Sequence, residues 1–228
     1  MNPECSKLHL VYFLHHIKYW NPYGVDMAKN SGDVILRDRM QFELDPSGDR
    51  TTLYGRIDLS AYVNPVERSG LAVKQMFFQL RSPSGGTLTG VFDPVANSFS
   101  PGSTEDKVAS LKMWLSTRAY ENAVDVGIAS PDVLCVYERS SIVGNTVYSD
   151  PGVVGTSAAL INEDHWYGPE DLHPNGYTVV SDLLVGIAAE QWLSEGEKII
   201  ELDVVLIAEP IKVTTERMNE ILSQAQDL

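Results

Sequence analysis

The sequence is poor in nearly everything that would announce a chemistry. Only two cysteines occur, Cys5 and Cys135. Two thiols so far apart set neither a disulfide framework nor a metal-binding spacing. Cys135 lies in the apolar run Val133-Leu134-Cys135-Val136-Tyr137 and reads as a small buried hydrophobe. Cationic runs are missing as well: 17 basic against 31 acidic residues give a formal net charge of −14. Phosphate backbones and anionic membrane surfaces repel such a chain, so no direct nucleic-acid contact is expected. The acidic excess reads as a solubility device, with a salty surrounding as the alternative. No apolar run is long enough for a transmembrane helix. The one near the N-terminus, Leu8 to Ile17, is too short to span a bilayer. It lacks a basic n-region and a small-residue cleavage site, so no signal peptide is recognised.

Catalytic signatures are also scarce. There is no Gly-x-Ser-x-Gly elbow, and Gly85-Gly86 lacks the lysine and helix of a phosphate loop. Paired carboxylates abound only because the chain is acidic, so they do not argue for glycoside hydrolysis. His9, His15 and His16 fall in the apolar N-terminal segment and read as partly buried, polar-tipped aromatics. No His-x-His with a spaced Glu follows the cupin pattern. No catalytic, cofactor-binding or metal-ligating residue is therefore assigned, no cofactor is expected, and the chain reads as not an enzyme.

What is present is period-two alternation between turn clusters, the mark of half-buried strands. Residues 33–44 and Leu53 to Leu59 flank Asp45-Pro46-Ser47-Gly48-Asp49 and read as a hairpin. Residues 71–81, Thr87 to Phe92, 123–129, 132–139 and 142–148 read as further strands, with 93–105 a loop. Residues 108–118 favour a strand over a short helix. Toward the C-terminus, Val179, Leu183, Val185, Ile187 and Ala189 share one face, as do Ile200, Leu202, Val204, Leu206 and Ala208. With Ser194-Glu195-Gly196-Glu197 as the turn, the stretch 178–209 reads as a long hairpin with one buried face. Pro210 marks an edge or the end of the ladder. Thr214 or Thr215 caps a short helix whose stripe is Met218, Ile221, Leu222 and Ala225.

Eight to ten strands, little helix and no β-α-β alternation predict an all-β chain, a jelly-roll-like β-sandwich with a short C-terminal helix. The expected organisation is an N-terminal arm or first strand over 1–30, a sandwich over 31–213 and a helix over 214–228.

One segment invites a ligand. Residues 149–177 read as a long loop holding Asn162-Glu163-Asp164-His165-Trp166-Tyr167 and, further on, Glu170, Asp171 and His173. His165 and His173 match no zinc spacing. Trp166 and Tyr167 are residue types enriched at interfaces. Trp20, Tyr23, Trp114, Trp166 and Trp192 are candidates for a carbohydrate-binding face, and core packing or a subunit contact accounts for the same residues.

The strand series 33–44, 51–63, 71–81, 108–118, 132–139 and 178–209 resembles the single jelly roll of icosahedral virus coat proteins. In size and acidity it is similar to the coat proteins of archaeal viruses with an internal membrane. The resemblance implies a capsid subunit located in the virion, self-associating into an oligomer or shell with or without a second coat protein. It carries over no functional residue. Two other readings stay open: a carbohydrate-binding or adhesin-type sandwich, and a metal-dependent β-barrel enzyme using His165 and His173.

Overall fold

The computed structural model describes residues 32–43, 45, 49–81, 107–150, 153–190 and 199–224; within these, side chains are described except at 107–108, 142–150, 153–160, 222 and 224. The N-terminal arm, the Thr87 to Phe92 strand, the 93–105 loop and the turn at 194–197 lie outside them. Nine strands are described: β1 (Val34–Glu43), β2 (Thr51–Ile57), β3 (Ser69–Arg81), β4 (Lys107–Ser116), β5 (Val133–Asp150), β6 (Val153–Tyr167), β7 (Tyr177–Val179), β8 (Leu183–Glu190) and β9 (Ile199–Lys212). Two helices accompany them, α1 (Pro169–Leu172) and α2 (Thr215–Gln224). No helix among the described residues is long and apolar enough to cross a membrane.

The strands form two antiparallel sheets, β1-β9-β3-β7 and β2-β8-β4-β5-β6, stacked as a sandwich. The pairing is nested. β1 pairs with β9, β2 with β8, β3 with β7 and β4 with β5. The first half of the chain therefore runs back along the second half, like one long ribbon rolled into two layers. That is jelly-roll connectivity, with β6 added beyond β5. The C-terminal helix is α2; the Thr214 hydroxyl accepts from the Arg217 N–H at 3.2 Å, and Met218 is buried with Val180 and Val213.

Alternation explains the core. Leu183, Val185, Ile187 and Ala189 of β8 meet Ile200, Leu202, Val204, Leu206 and Ala208 of β9 across the interface of the two sheets. Leu111, Met113 and Leu115 of β4 and Leu71, Val73, Met76 and Leu80 of β3 fill the rest. Cys135 is wholly buried among them, and burial pushes its thiol well above the usual range.

Several expectations are corrected. Residues 33–44 and 53–59 are not a hairpin: β1 and β2 belong to different sheets. The stretch 178–209 is not a hairpin either, because β8 and β9 face one another across the core. In 178–209 the buried faces are those the alternation predicts, but a facing sheet buries an alternating strand as well as a hairpin partner does. Residues 123–129 are not a strand; Ala123–Asp125 is a 3-10 turn. Residues 132–139 and 142–148 are not two strands but parts of the continuous β5, inside which Gly144 and Asn145 pair with Ala159 and Ala158. Segment 149–177 is not a long loop, since most of it is β6, α1 and β7. Pro210 lies past the last β1–β9 pair, Val34 with Ala208, where among the described residues β9 is bordered by β3 alone.

Candidate functional surfaces

The outer faces of the two sheets differ in kind. On the five-stranded sheet, the 117–132 connection between β4 and β5 folds back over the strands. Trp114, pointing outward from β4, is fully buried beneath it with Ala123, Val126, Val133, Val136 and Ala188. Its ring lies flat over Gly186, where a Cβ would sit 2.0 Å from Cε2. Tyr54 meets the indole edge-on at 5.5 Å. The Tyr54 hydroxyl donates to the Tyr120 carbonyl at 3.0 Å and accepts from the Tyr120 N–H at 2.7 Å. Lys112 Nζ donates to the Val126 carbonyl, and the Thr117 N–H to the Asp132 carbonyl at 3.0 Å. The lid is thus held by hydrogen bonds around an aromatic plug, and burial pushes the Tyr54 phenol up.

The outer face of the four-stranded sheet carries no such cover among the described residues. Register places Ile35 beside Ile207 and Gln75, and Arg37 beside Val205 and Phe77. Ile35 is 51% exposed and Phe77 53%. The result is an apolar strip crossing three strands. Ion pairs close both ends of it. At one end Arg39 grips Asp203 with Nε at 2.5 Å and Nη2 at 3.1 Å, and Arg81 Nη1 stands 3.5 Å from the same carboxylate. The Arg39 hydrogen bonds hold the Asp203 carboxyl below the usual carboxylate range. At the other end the extra residue of a β-bulge, Lys74, bridges Asp33 and Glu209 at 2.8 Å each.

The residues singled out at 162–173 are dispersed. Trp166, 38% exposed, packs edge-on to Phe78 at 5.9 Å and tilted against Tyr137 at 6.4 Å. Asp164 receives Arg139 Nε at 2.5 Å and Nη2 at 2.6 Å, and the Tyr137 hydroxyl at 3.1 Å. Burial, with the Asp164 carboxylate beside it, pushes the Tyr137 phenol up to about 12. His165 lies in register with Glu138 on β5. His173 stands beyond α1, its ring 4.7 Å from that of Tyr177 and Nε2 3.4 Å from the Val133 carbonyl. Among the described residues no three His, Cys, Asp or Glu side chains group as metal ligands. Trp114 is a buried plug rather than part of an exposed aromatic face; Trp20, Tyr23 and Trp192 lie outside the described residues. The exposed strip went unread in the sequence. Its members come from three distant segments, and only the register brings them together.

No family model and no curated protein matches the sequence. A solved structure of Desmodium yellow mottle tymovirus is similar over 94% of this chain and 100% of that one, at 10% identity and a TM-score of 0.27, too low for any argument about this chain to rest on it.

Proposed function

We propose that this chain is a self-associating structural subunit, a coat protein whose copies build a viral shell. The observation that carries the reading is the apolar strip of Ile35, Val205, Ile207 and Phe77 on the outer face of the four-stranded sheet, uncovered among the described residues. An exposed apolar patch rimmed by polar groups marks a contact surface. Its rims carry both signs, Lys74 with Asp33 and Glu209, Arg39 and Arg81 with Asp203. A second copy of a chain with net charge −14 can approach such a rim without meeting a wall of like charge. Jelly rolls serve in virus coats, lectins and cupins alike, and the fold does not choose among them. The interior speaks against the cupin use, because among the described residues the space between the sheets is filled with Leu, Val, Ile and Met.

Sedimentation velocity and negative-stain electron microscopy of the full chain test this. Assemblies larger than a dimer are expected from the wild type, and Phe77→Ser should arrest growth at smaller species. A chain that stays monomeric at high concentration, in low and in high salt, sinks the proposal.

A further inference from the structure

Among the described residues β6 is the last strand of the five-stranded sheet and pairs only with β5. Fifteen consecutive residue pairs join them, from Val136 with Tyr167 to Asp150 with Val153, with no shift of register. The β4 ladder stops at Lys107 with Val143. Beyond that point β5 and β6 run on as a two-stranded ribbon among the described residues. One whole side of β6 thus presents backbone N–H and C=O groups with no strand against them among the described residues.

Long edges of this kind template pairing, and folded proteins usually blunt them with Lys, Pro, a bulge or a short strand. β6 has none of these: residues 153–167 contain no Lys and no Pro, and the register is regular. Charge is distributed unevenly along it. Residues 151–162 carry no ionisable side chain, whereas Glu163, Asp164 and His165 follow where β5 is also bordered by β4. In a chain with net charge −14, this uncharged run is where two copies can touch along a strand without like-charge contact.

We infer that β6 is a seam between two copies of this chain, joined antiparallel, β6 to β6, across a two-fold axis within residues 153–162. The inference rests on the self-association reading and names one of its surfaces. Antiparallel pairing puts the acidic residues of the two copies at opposite ends of the joint ribbon. Parallel pairing would set Glu163 against Glu163 and Asp164 against Asp164. A two-fold contact is self-complementary and closes at a dimer. The apolar strip on the other sheet is then the second contact that growth beyond a dimer requires.

The test is sedimentation velocity of the full chain, wild type against the double variant Thr156→Lys, Ala158→Lys. Lysines near a two-fold axis oppose their own symmetry mates, so at least tenfold weaker dimerisation is expected with the far-ultraviolet spectrum unchanged. Phe77→Ser should instead stop assembly at the dimer. Hydrogen exchange on the wild type gives a readout that does not depend on a variant folding: amides of 153–162 should become protected as concentration rises. If the wild type associates while these amides keep their exchange rates, or while the lysine variant dimerises equally well, the β6 seam is overturned and the self-association reading stands. Pairing of β6 only with a different protein also overturns the seam as drawn. A wild type that remains monomeric overturns both.

Discussion

The two outer sheet faces are built from the same alternation and end in opposite states. On the five-stranded sheet the outward side chain is Trp114, and the chain itself supplies a lid for it. On the four-stranded sheet the outward side chains include Ile35 and Phe77, and the described chain leaves them more than half exposed. The first face spends its apolar surface on folding. Among the described residues the second leaves it open. The difference teaches that outward apolar residues on a sandwich have two fates, buried under a connection that folds back or left open by the described chain. Sixteen residues, 117–132, join β4 to β5 and suffice to cover Trp114.

Removing the plug should produce the largest effect. Trp114→Ala deletes a fully buried indole beneath the lid, and such deletions cost about 3–5 kcal/mol. Urea unfolding should show that loss, while the strip on the opposite sheet keeps its contacts. A loss below about 1 kcal/mol would mean that the lid collapses onto the space and that the contrast between the faces is weaker than drawn. Gly186→Ala comes next. The new methyl would stand 2.0 Å from Cε2 and 2.2 Å from Cζ2 of Trp114, so the ring has to lift. Overpacking of this kind costs about 1–3 kcal/mol. The two substitutions should not add, since once the indole is gone the extra methyl has nothing to strike. Strict additivity in the double variant would show that Gly186 is needed for another reason.

These two residues also mark what the sequence made legible. The alternation in 183–189 and 200–208 identified the buried faces residue by residue, and Leu183, Ile187, Ile200 and Leu206 are indeed fully buried. Partners were misread, because burial of one face says nothing about which strand lies alongside. Ile187 is flanked in its own sheet by Leu53 and Met113, from segments far away in the chain, and not by β9. β6 was hidden for a different reason. Residues 161–166 are exposed throughout, so the stretch has no buried side to produce an alternating pattern. Among the described residues, backbone pairing to β5 is what makes it a strand. The strip was illegible on the same grounds as the pairing. Ile35, Phe77 and Val205 become neighbours only once β9 is known to lie between β1 and β3.

On the face that the described residues leave open, the expected effects on stability are small and those on association large. Phe77→Ser changes a half-exposed side chain, and surface substitutions usually stay within about 0.5 kcal/mol. Its urea midpoint should therefore match the wild type while its assembly does not. If the variant lost as much stability as Trp114→Ala, Phe77 would be packed in the isolated chain, and the two faces would no longer differ.

The smallest effect belongs to the ion pairs at the end of the strip. Asp203 has its carboxyl held below the usual range, first by the hydrogen bond from Arg39 and then by the charges of Arg39 and Arg81. A carboxyl depressed in the folded state contributes stability above its unfolded value, about 3.9, and loses it as pH falls through the lower folded value. Arg39 is half exposed, so solvent and salt screen much of the contribution. Asp203→Asn should accordingly be slightly less stable than the wild type at pH 7 in low salt. The gap should narrow with added salt and vanish as pH drops below about 4 toward the folded value. The covered face offers the contrast, since Tyr54, the phenol packed on Trp114, is pushed up by burial and stays neutral through that whole range. Urea unfolding of both proteins from pH 7 down to pH 2.5 measures the gap directly. If the gap were constant across that range, the Asp203 carboxylate would not be what stabilises this end of the strip, and Arg39 would be held there by packing against its neighbours on β9 instead.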